Sequence, residues 1–131
     1  MQDLTNEGLM PDNILTYNLD YLLSYGDGKS YDVIYFCGGD PAHLLNSINN
    51  SGFNQVLNKL VDEGMFYIGV SAGSIVATSN MPNNLNYADC FLDVHCQNGS
   101  PCGTFNSGDN VYLTDEQAIW VNENNAEILK K

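Results

Sequence analysis

The chain of 131 residues is 44% hydrophobic and 15% charged, a composition that indicates one globular domain and argues against disorder. Four lysines, no arginine and sixteen acidic residues give a net charge of −12. Such a surface repels phosphate backbones and anionic lipid headgroups, which disfavours nucleic acids and membrane surfaces as partners.

The sequence also indicates where the protein is located and whether it binds a metal. No apolar run approaches the roughly 20 residues of a membrane span, and residues 1–5 lack a basic and then apolar signal pattern, so a cytoplasmic location is predicted. The cysteines are then expected to be reduced thiols: Cys37, Cys90, Cys96 and Cys102. Three of them lie near His95 at spacings of six, unlike the close pairs of structural zinc sites. Neither a metal nor another cofactor is predicted.

The first part of the chain predicts short elements only. Residues 2–9 are typical of the tail of a helix closed by Gly8, and 14–19 alternate as a short strand. One helical turn is predicted over 22–25, followed by a plain loop at 26–28.

A continuous apolar run at 32–37 predicts a strand buried on both faces of a parallel sheet. It leads into Gly38 and Gly39, then Asp40 as helix N-cap and Pro41 as first helical residue. The glycines are explained equally well by a tight connection and by amides turned toward a ligand. His43, on the helix that follows, is expected to be a surface or packing residue.

A break at 49–52 precedes a second helix, which Gly64 ends. Its apolar residues recur at i, i+3, i+4, i+7 and i+8, so one stripe packs on the sheet: Phe53, Val56, Leu57, Leu60 and Val61. The helix delivers the chain to an apolar strand at 65–70, which makes a βαβ unit with its loops at the carboxyl ends of the strands.

That strand runs into Ser71, which lies between Gly69 and Gly73 and is followed by an apolar start of a helix at 75–77. Strand, tight turn and helix make a nucleophile elbow, in which the glycines let strand and helix cross closely. The first helical amides then face a developing oxyanion. A glycine-serine turn alone is weak, but with the strand and helix around it the catalytic interpretation is favoured over a structural turn.

Beyond the elbow, loops are predicted around 80–84 and across the Gly-, Ser- and Asn-rich segment 98–110. Between them a short apolar segment, 91–95, ends on His95. The C-terminus predicts a hairpin, with strands at 118–121 and 126–129 and a turn at 123–125.

A serine nucleophile needs a base, and the base needs an orienting acid. The histidines are His43 and His95, and His95 is favoured because it follows a strand-like segment that can share the ligand face with Ser71. The candidate acids are Asp93, Asp109, Asp115 and Glu116. Asp115 is favoured because it sits between two apolar stretches.

Three segments carry a resemblance to a known family: Phe-Cys-Gly-Gly-Asp at 36–40, Gly-Val-Ser-Ala-Gly-Ser at 69–74 and Leu-Thr-Asp-Glu-Gln-Ala-Ile at 113–119. With the helix between the first two, they resemble the peptidase E and cyanophycinase family of serine peptidases, over about 13–129. The resemblance implies a single α/β domain over 1–131, similar to flavodoxin-like and class I glutamine amidotransferase folds. A mostly parallel sheet would be flanked by helices and end in a C-terminal hairpin.

The resemblance also implies a site. Ser71 would be the nucleophile, His95 the general base and Asp115 the acid, with the amides of Gly39 and Ala72 as oxyanion hole. Substrate would contact Gly38 and Asp40. A family aspartate after the elbow helix falls near Asn80, whose amide cannot serve as the acid, which favours Asp115; a glutaminase would need cysteine in place of Ser71.

The implied activity is hydrolysis of small peptides through an acyl-enzyme. The family's preference for an N-terminal aspartate relies on a basic residue, and no Lys or Arg lies between Lys59 and Lys130. The main alternative is a non-catalytic, amidotransferase-like binding module. An α/β-hydrolase esterase is less favoured because here His95 precedes Asp115. The family's strand before residue 13 has no counterpart, so an exposed sheet edge and self-association into a homo-oligomer are expected.

Overall fold

The computed structural model describes residues 2–19, 23–123 and 125–131. Its helices are α1 (Gln2–Asn6), α2 (Tyr25–Gly28), α3 (Pro41–Asn50), α4 (Phe53–Asp62) and α5 (Ala72–Ile75), with a 3-10 turn at Pro11–Asn13. Its strands are β1 (Val33–Phe36), β2 (Phe66–Gly69), β3 (Cys90–Asp93), β4 (Gly103–Thr104), β5 (Asp109–Tyr112), β6 (Gln117–Asn122) and β7 (Asn125–Lys130).

The N-terminal half is built on the parallel pair β1 and β2, in register from Val33 opposite Phe66 to Phe36 opposite Gly69. Helices α3 and α4 form the crossover between the two strands. As predicted, the Asp40 carboxylate caps α3 by accepting a 2.9 Å hydrogen bond from the amide of Ala42. The predicted stripe of α4 is buried at its centre and packs into a first core: Phe36, Leu45, Ile48, Phe53, Leu57, Val76 and Leu85.

The C-terminal half is built on a second parallel pair, β3 and β5, in register from Cys90 opposite Asp109 to Asp93 opposite Tyr112. The predicted hairpin is formed by β6 and β7, and β4 pairs with β7 to make a three-stranded antiparallel sheet. Residues of these strands, with one residue before β3 and one after β5, form a second core: Ala88, Cys90, Leu92, Val111, Leu113 and Ile128.

The predicted α/β class, with parallel strands flanked by helices, is confirmed. Four local predictions are wrong. The strand predicted at 32–37 is not buried on both faces: β1 buries Phe36 but leaves Val33 45% exposed, because the first core packs against the Phe36 end of the strand. Residues 14–19 form no strand, and Leu15 and Tyr17 are exposed, because alternation alone does not supply a neighbouring strand. The segment 26–28 belongs to α2, because the Ser24 hydroxyl caps the turn through the Asp27 amide. The segment 98–110 contains β4 and the start of β5. Leu22 and Asn124, which belong to a predicted helical turn and the hairpin turn, lie outside the described residues.

No helix in the described ranges combines the length and apolarity needed to cross a membrane. The four cysteines are free thiols. The cytoplasmic location, the single-domain boundary and self-association stay predictions.

Candidate active site

Ser71 sits at a sharp, strained turn between β2 and α5. Its backbone lies at φ 56° and ψ −110°, a region that side-chain-bearing residues rarely occupy. The close crossing predicted for the flanking glycines is present. A Cβ at Gly69 would lie 2.3 Å from the carbonyl oxygen of Gly73, and a Cβ at Gly73 would lie 2.3 Å from that of Phe36. Only glycine fits these two positions, so the sequence itself dictates the elbow.

Two side chains brace the turn. The Tyr67 hydroxyl donates to the carbonyl of Gly73 at 2.5 Å, and the Ser74 hydroxyl donates to the carbonyl of Gly69 at 2.7 Å. Burial, with a smaller contribution from Tyr87, raises the pKa of Tyr67, so its hydroxyl keeps the proton that it donates. Both braces were missed at the sequence level. The available signal for the first brace was a tyrosine within an apolar strand, because a tyrosine hydroxyl that is buried requires a partner.

His95 follows β3 and also has a positive φ, 57°. The turn that carries it is held from both sides by one residue of the neighbouring segment. Leu113 donates its amide to the carbonyl of Asp93 at 2.9 Å and accepts from the amide of Cys96 at 2.9 Å. Leu113 lies two residues before Asp115, so the His95 turn is fixed to the segment that carries Asp115.

The three predicted side chains form one continuous array. Nδ1 of His95 lies 2.6 Å from Oδ1 of Asp115, and Nε2 of His95 lies 3.1 Å from Oγ of Ser71. With the carboxylate ionised, the hydrogen-bond network assigns the imidazole proton to Nδ1, which leaves Nε2 to accept from the serine hydroxyl. This geometry can transfer a proton from the serine hydroxyl to the imidazole.

The array is open to solvent. The side chains of His95 and Asp115 are 60% and 78% exposed, respectively. Ser71 itself is half-buried. The exposure of the other two side chains means that water screens the attraction between their charges.

The glycine turn after β1 lies next to Ser71. A Cβ at Gly38 would lie 3.5 Å from Cβ of Ser71, so the glycine turn after β1 passes directly against the Ser71 side chain. Gly39 has φ 131°, which favours glycine. Within the described part of the chain, the amides of Gly39 and Ala72 donate to no other group. These amides are the donors that a developing oxyanion would need.

The remaining candidates have other surroundings. His43 is exposed on the first turn of α3. The Asp109 carboxylate accepts from the amide of Asn106 at 2.9 Å, and the Asp40 carboxylate is engaged in capping α3. Among the described contacts of His95, the carboxylate partner is Asp115, not Asp93 or Glu116. A substrate contact through Gly38 and Asp40 stays a prediction.

The sequence pattern of peptidase family S51 matches residues 28–93, just over half of the chain. The chain belongs to peptidase family S51. The match includes the glycine turn after β1 and the serine elbow, and it ends two residues before His95. The predicted peptidase E relationship and the enzyme class, peptidase, are therefore confirmed.

A solved structure gives the fold of this S51 member independently. The crystal structure of a candidate peptidase E protein from Listeria monocytogenes EGD-e superposes with a TM-score of 0.72 at 18% sequence identity. The alignment covers 99% of this chain and 75% of that one. At this identity the similarity shows the fold. The search of curated proteins found no match.

Proposed function

We propose that this S51 member is a serine peptidase that cleaves small peptides through an acyl-enzyme, with Ser71 as nucleophile, His95 as general base and Asp115 as the acid that orients the imidazole. The observation that carries the proposal is the continuous array of 3.1 Å and 2.6 Å contacts from serine oxygen to carboxylate. The array joins Ser71, in the half built on β1 and β2, to His95 and Asp115 in the half built on β3 and β5.

The chemistry follows from these positions. As Oγ of Ser71 attacks the carbonyl carbon of the scissile bond, Nε2 of His95 takes the hydroxyl proton, and the amides of Gly39 and Ala72 stabilise the oxyanion. The imidazolium gives its proton to the leaving amine and the C–N bond breaks. A water molecule, deprotonated by the same imidazole, then cleaves the ester and restores the serine hydroxyl.

The substrate class is set by access and charge. Short peptides are the favoured substrates because the proposed base and acid are 60% and 78% exposed and can be approached from solvent. The net charge of −12 and the lack of Lys or Arg between Lys59 and Lys130 disfavour acidic peptides. The proposal therefore does not include a preference for an N-terminal aspartate.

The decisive experiment combines covalent labelling with matched substitutions. A fluorophosphonate probe should attach to Ser71 in the parent and not in Ser71→Ala, and peptidase turnover should disappear with it. His95→Ala should lose a similar factor because nucleophile and base act as a unit. His43→Ala, an exposed histidine 28 positions from the nucleophile in the sequence, is the matched control and should retain full turnover.

Asp115→Asn tests the third member. It should lower kcat strongly, because an amide at this position no longer favours the imidazole tautomer that accepts from serine. A folded parent that forms no adduct at Ser71 would contradict the proposal and favour the non-catalytic binding module.

A further inference from the structure

The array is assembled from two units that share no strand pairing. Ser71 belongs to the unit of β1, β2 and α5, whereas His95 and Asp115 belong to the unit of β3 and β5. In the described part of the chain, no strand of the first unit pairs with a strand of the second. The 3.1 Å contact between serine and imidazole therefore depends on whatever holds one unit against the other.

The two units meet where the segment after α5 runs beside the segment that leads into β3. The carbonyl of Ala77 accepts from the amides of Tyr87 and Ala88 at 2.9 and 3.0 Å, and the amide of Ser79 donates to the carbonyl of Cys90 at 2.9 Å. These are backbone bonds, which do not depend on the side chains. They bring the two segments alongside each other.

The bonds of this junction that lie nearest His95 in the sequence are made by a side chain. Nδ2 of Asn80 donates to the carbonyl of Leu92 at 2.7 Å, and the amide of Leu92 donates to Oδ1 of Asn80 at 2.7 Å. The asparagine amide thus pairs with Leu92 as a neighbouring peptide unit would in a strand. Leu92 is buried in the second core and lies three residues before His95.

Only an amide satisfies both partners. A carboxylate accepts but does not donate, so aspartate would keep the bond from the Leu92 amide and set an oxygen against the Leu92 carbonyl. Alanine would remove both bonds. The chemistry of the side chain, and not only its size, is therefore matched to this position.

We infer that Asn80 is a positioning residue, which sets the separation between Ser71 and His95; the inference rests on the proposed function. Because Leu113 separately fixes the His95 turn to the segment that carries Asp115, a change at Asn80 should act selectively. It should displace the imidazole from the serine and leave the imidazole against its carboxylate.

The test compares Asn80→Ala and Asn80→Asp with Asn84→Ala. Asn84 is the matched control, since its Nδ2 donates to a backbone carbonyl at 2.7 Å within the same loop, that of Met81, and does not reach β3. For each protein, kcat and KM are measured with a small peptide. In parallel, nuclear Overhauser contacts are recorded between the β protons of Ser71 and the ring protons of His95, together with the downfield Nδ1 proton that reports the contact with Asp115.

Both Asn80 variants should lose about 10- to 100-fold in kcat with KM changed by less than about twofold, the pattern of a displaced reacting group. They should lose the Ser71–His95 contact and keep the downfield proton. Asn84→Ala should match the parent in all three readouts. Asn80→Asp retains one of the two bonds, so it serves as the measurable variant where Asn80→Ala fails to fold.

The inference is overturned where the Asn80 variants keep parental kcat and the Ser71–His95 contact, and equally where both variants unfold, because Asn80 would then serve the fold and not the site. Failure of the proposed function would give different experimental results. The parent would then show no turnover and no serine adduct, and the inference would be decided by the Ser71–His95 contact alone.

Discussion

Gly73→Ala puts the elbow geometry to a direct test. The new Cβ would lie 2.3 Å from the carbonyl oxygen of Phe36 and must retreat by at least 0.7 Å to reach the 3.0 Å below which such contacts essentially never occur. Phe36 is held in the first core, so α5 must take up most of the shift. Ser71 lies at the start of α5, and its 3.1 Å contact with His95 would lengthen beyond hydrogen-bond range.

Two measurements follow from this displacement. Overpacking against backbone should lower the free energy of unfolding by about 1–3 kcal/mol, as measured in urea. A nucleophile misplaced by close to 1 Å should lower peptidase turnover by about 100-fold.

Gly26→Ala is the control, because Gly26 lies in α2 and its nearest neighbour to a new Cβ is Ser24 Oγ at 3.9 Å. It should leave turnover unchanged and stabilise slightly, by up to about 1 kcal/mol. If Gly73→Ala matched the parent in stability and turnover, strand and helix could not cross as closely as described.

Three further predictions concern stability. Burial, with the neighbouring carboxylates, raises the pKa of Cys90 from 9.0 to about 11. The folded protein therefore holds the Cys90 proton more tightly than the unfolded chain, and on the order of 3 kcal/mol of the free energy of unfolding is lost as pH rises from 9 to 11. Cys90→Ala lacks this titration, so in urea unfolding the parent should lose about that much stability relative to the variant over the same pH range. Asp40→Ala should lower the free energy of unfolding by about 1 kcal/mol, because it removes the cap on the Ala42 amide. Asp12→Ala, at a turn without a side-chain cap, should lower it less, and thermal denaturation measures both. Leu57→Ala, at a fully buried position, should cost about 2–5 kcal/mol in the same assay, and a smaller loss would contradict the packing of α4.

The features predicted correctly are those encoded over short distances. The elbow, the cap at Asp40 and the stripe of α4 each depend on residues within one or two turns of one another, so periodicity and glycine placement reveal them. The strand predicted at 14–19 is wrong because alternation of apolar and polar residues does not supply an apolar surface against which one face can be buried, and Leu15 and Tyr17 are exposed.

In the site, too, the features with a local sequence signal were predicted and those that depend on the fold were not. The sequence favours His95 for its place at the end of a strand-like segment and Asp115 for its place between two apolar stretches; the structure brings His95 to Ser71 and Asp115 to His95. Asn80 was read only as a position that lacks a carboxylate. Its pairing with Leu92 depends on how two separate units meet, which no local pattern expresses.

The exposure of the array determines how the protein would tolerate damage. Because the His95 and Asp115 side chains are 60% and 78% in water, their pairing adds little to the stability of the fold. On the proposed function, substitutions at these two positions would give folded chains without activity, which chaperones and proteases do not recognise as defective. Inactivating changes of this kind would persist in a cell at normal abundance, whereas changes at Gly69 or Gly73, which also destabilise the fold, would lower the abundance of the protein.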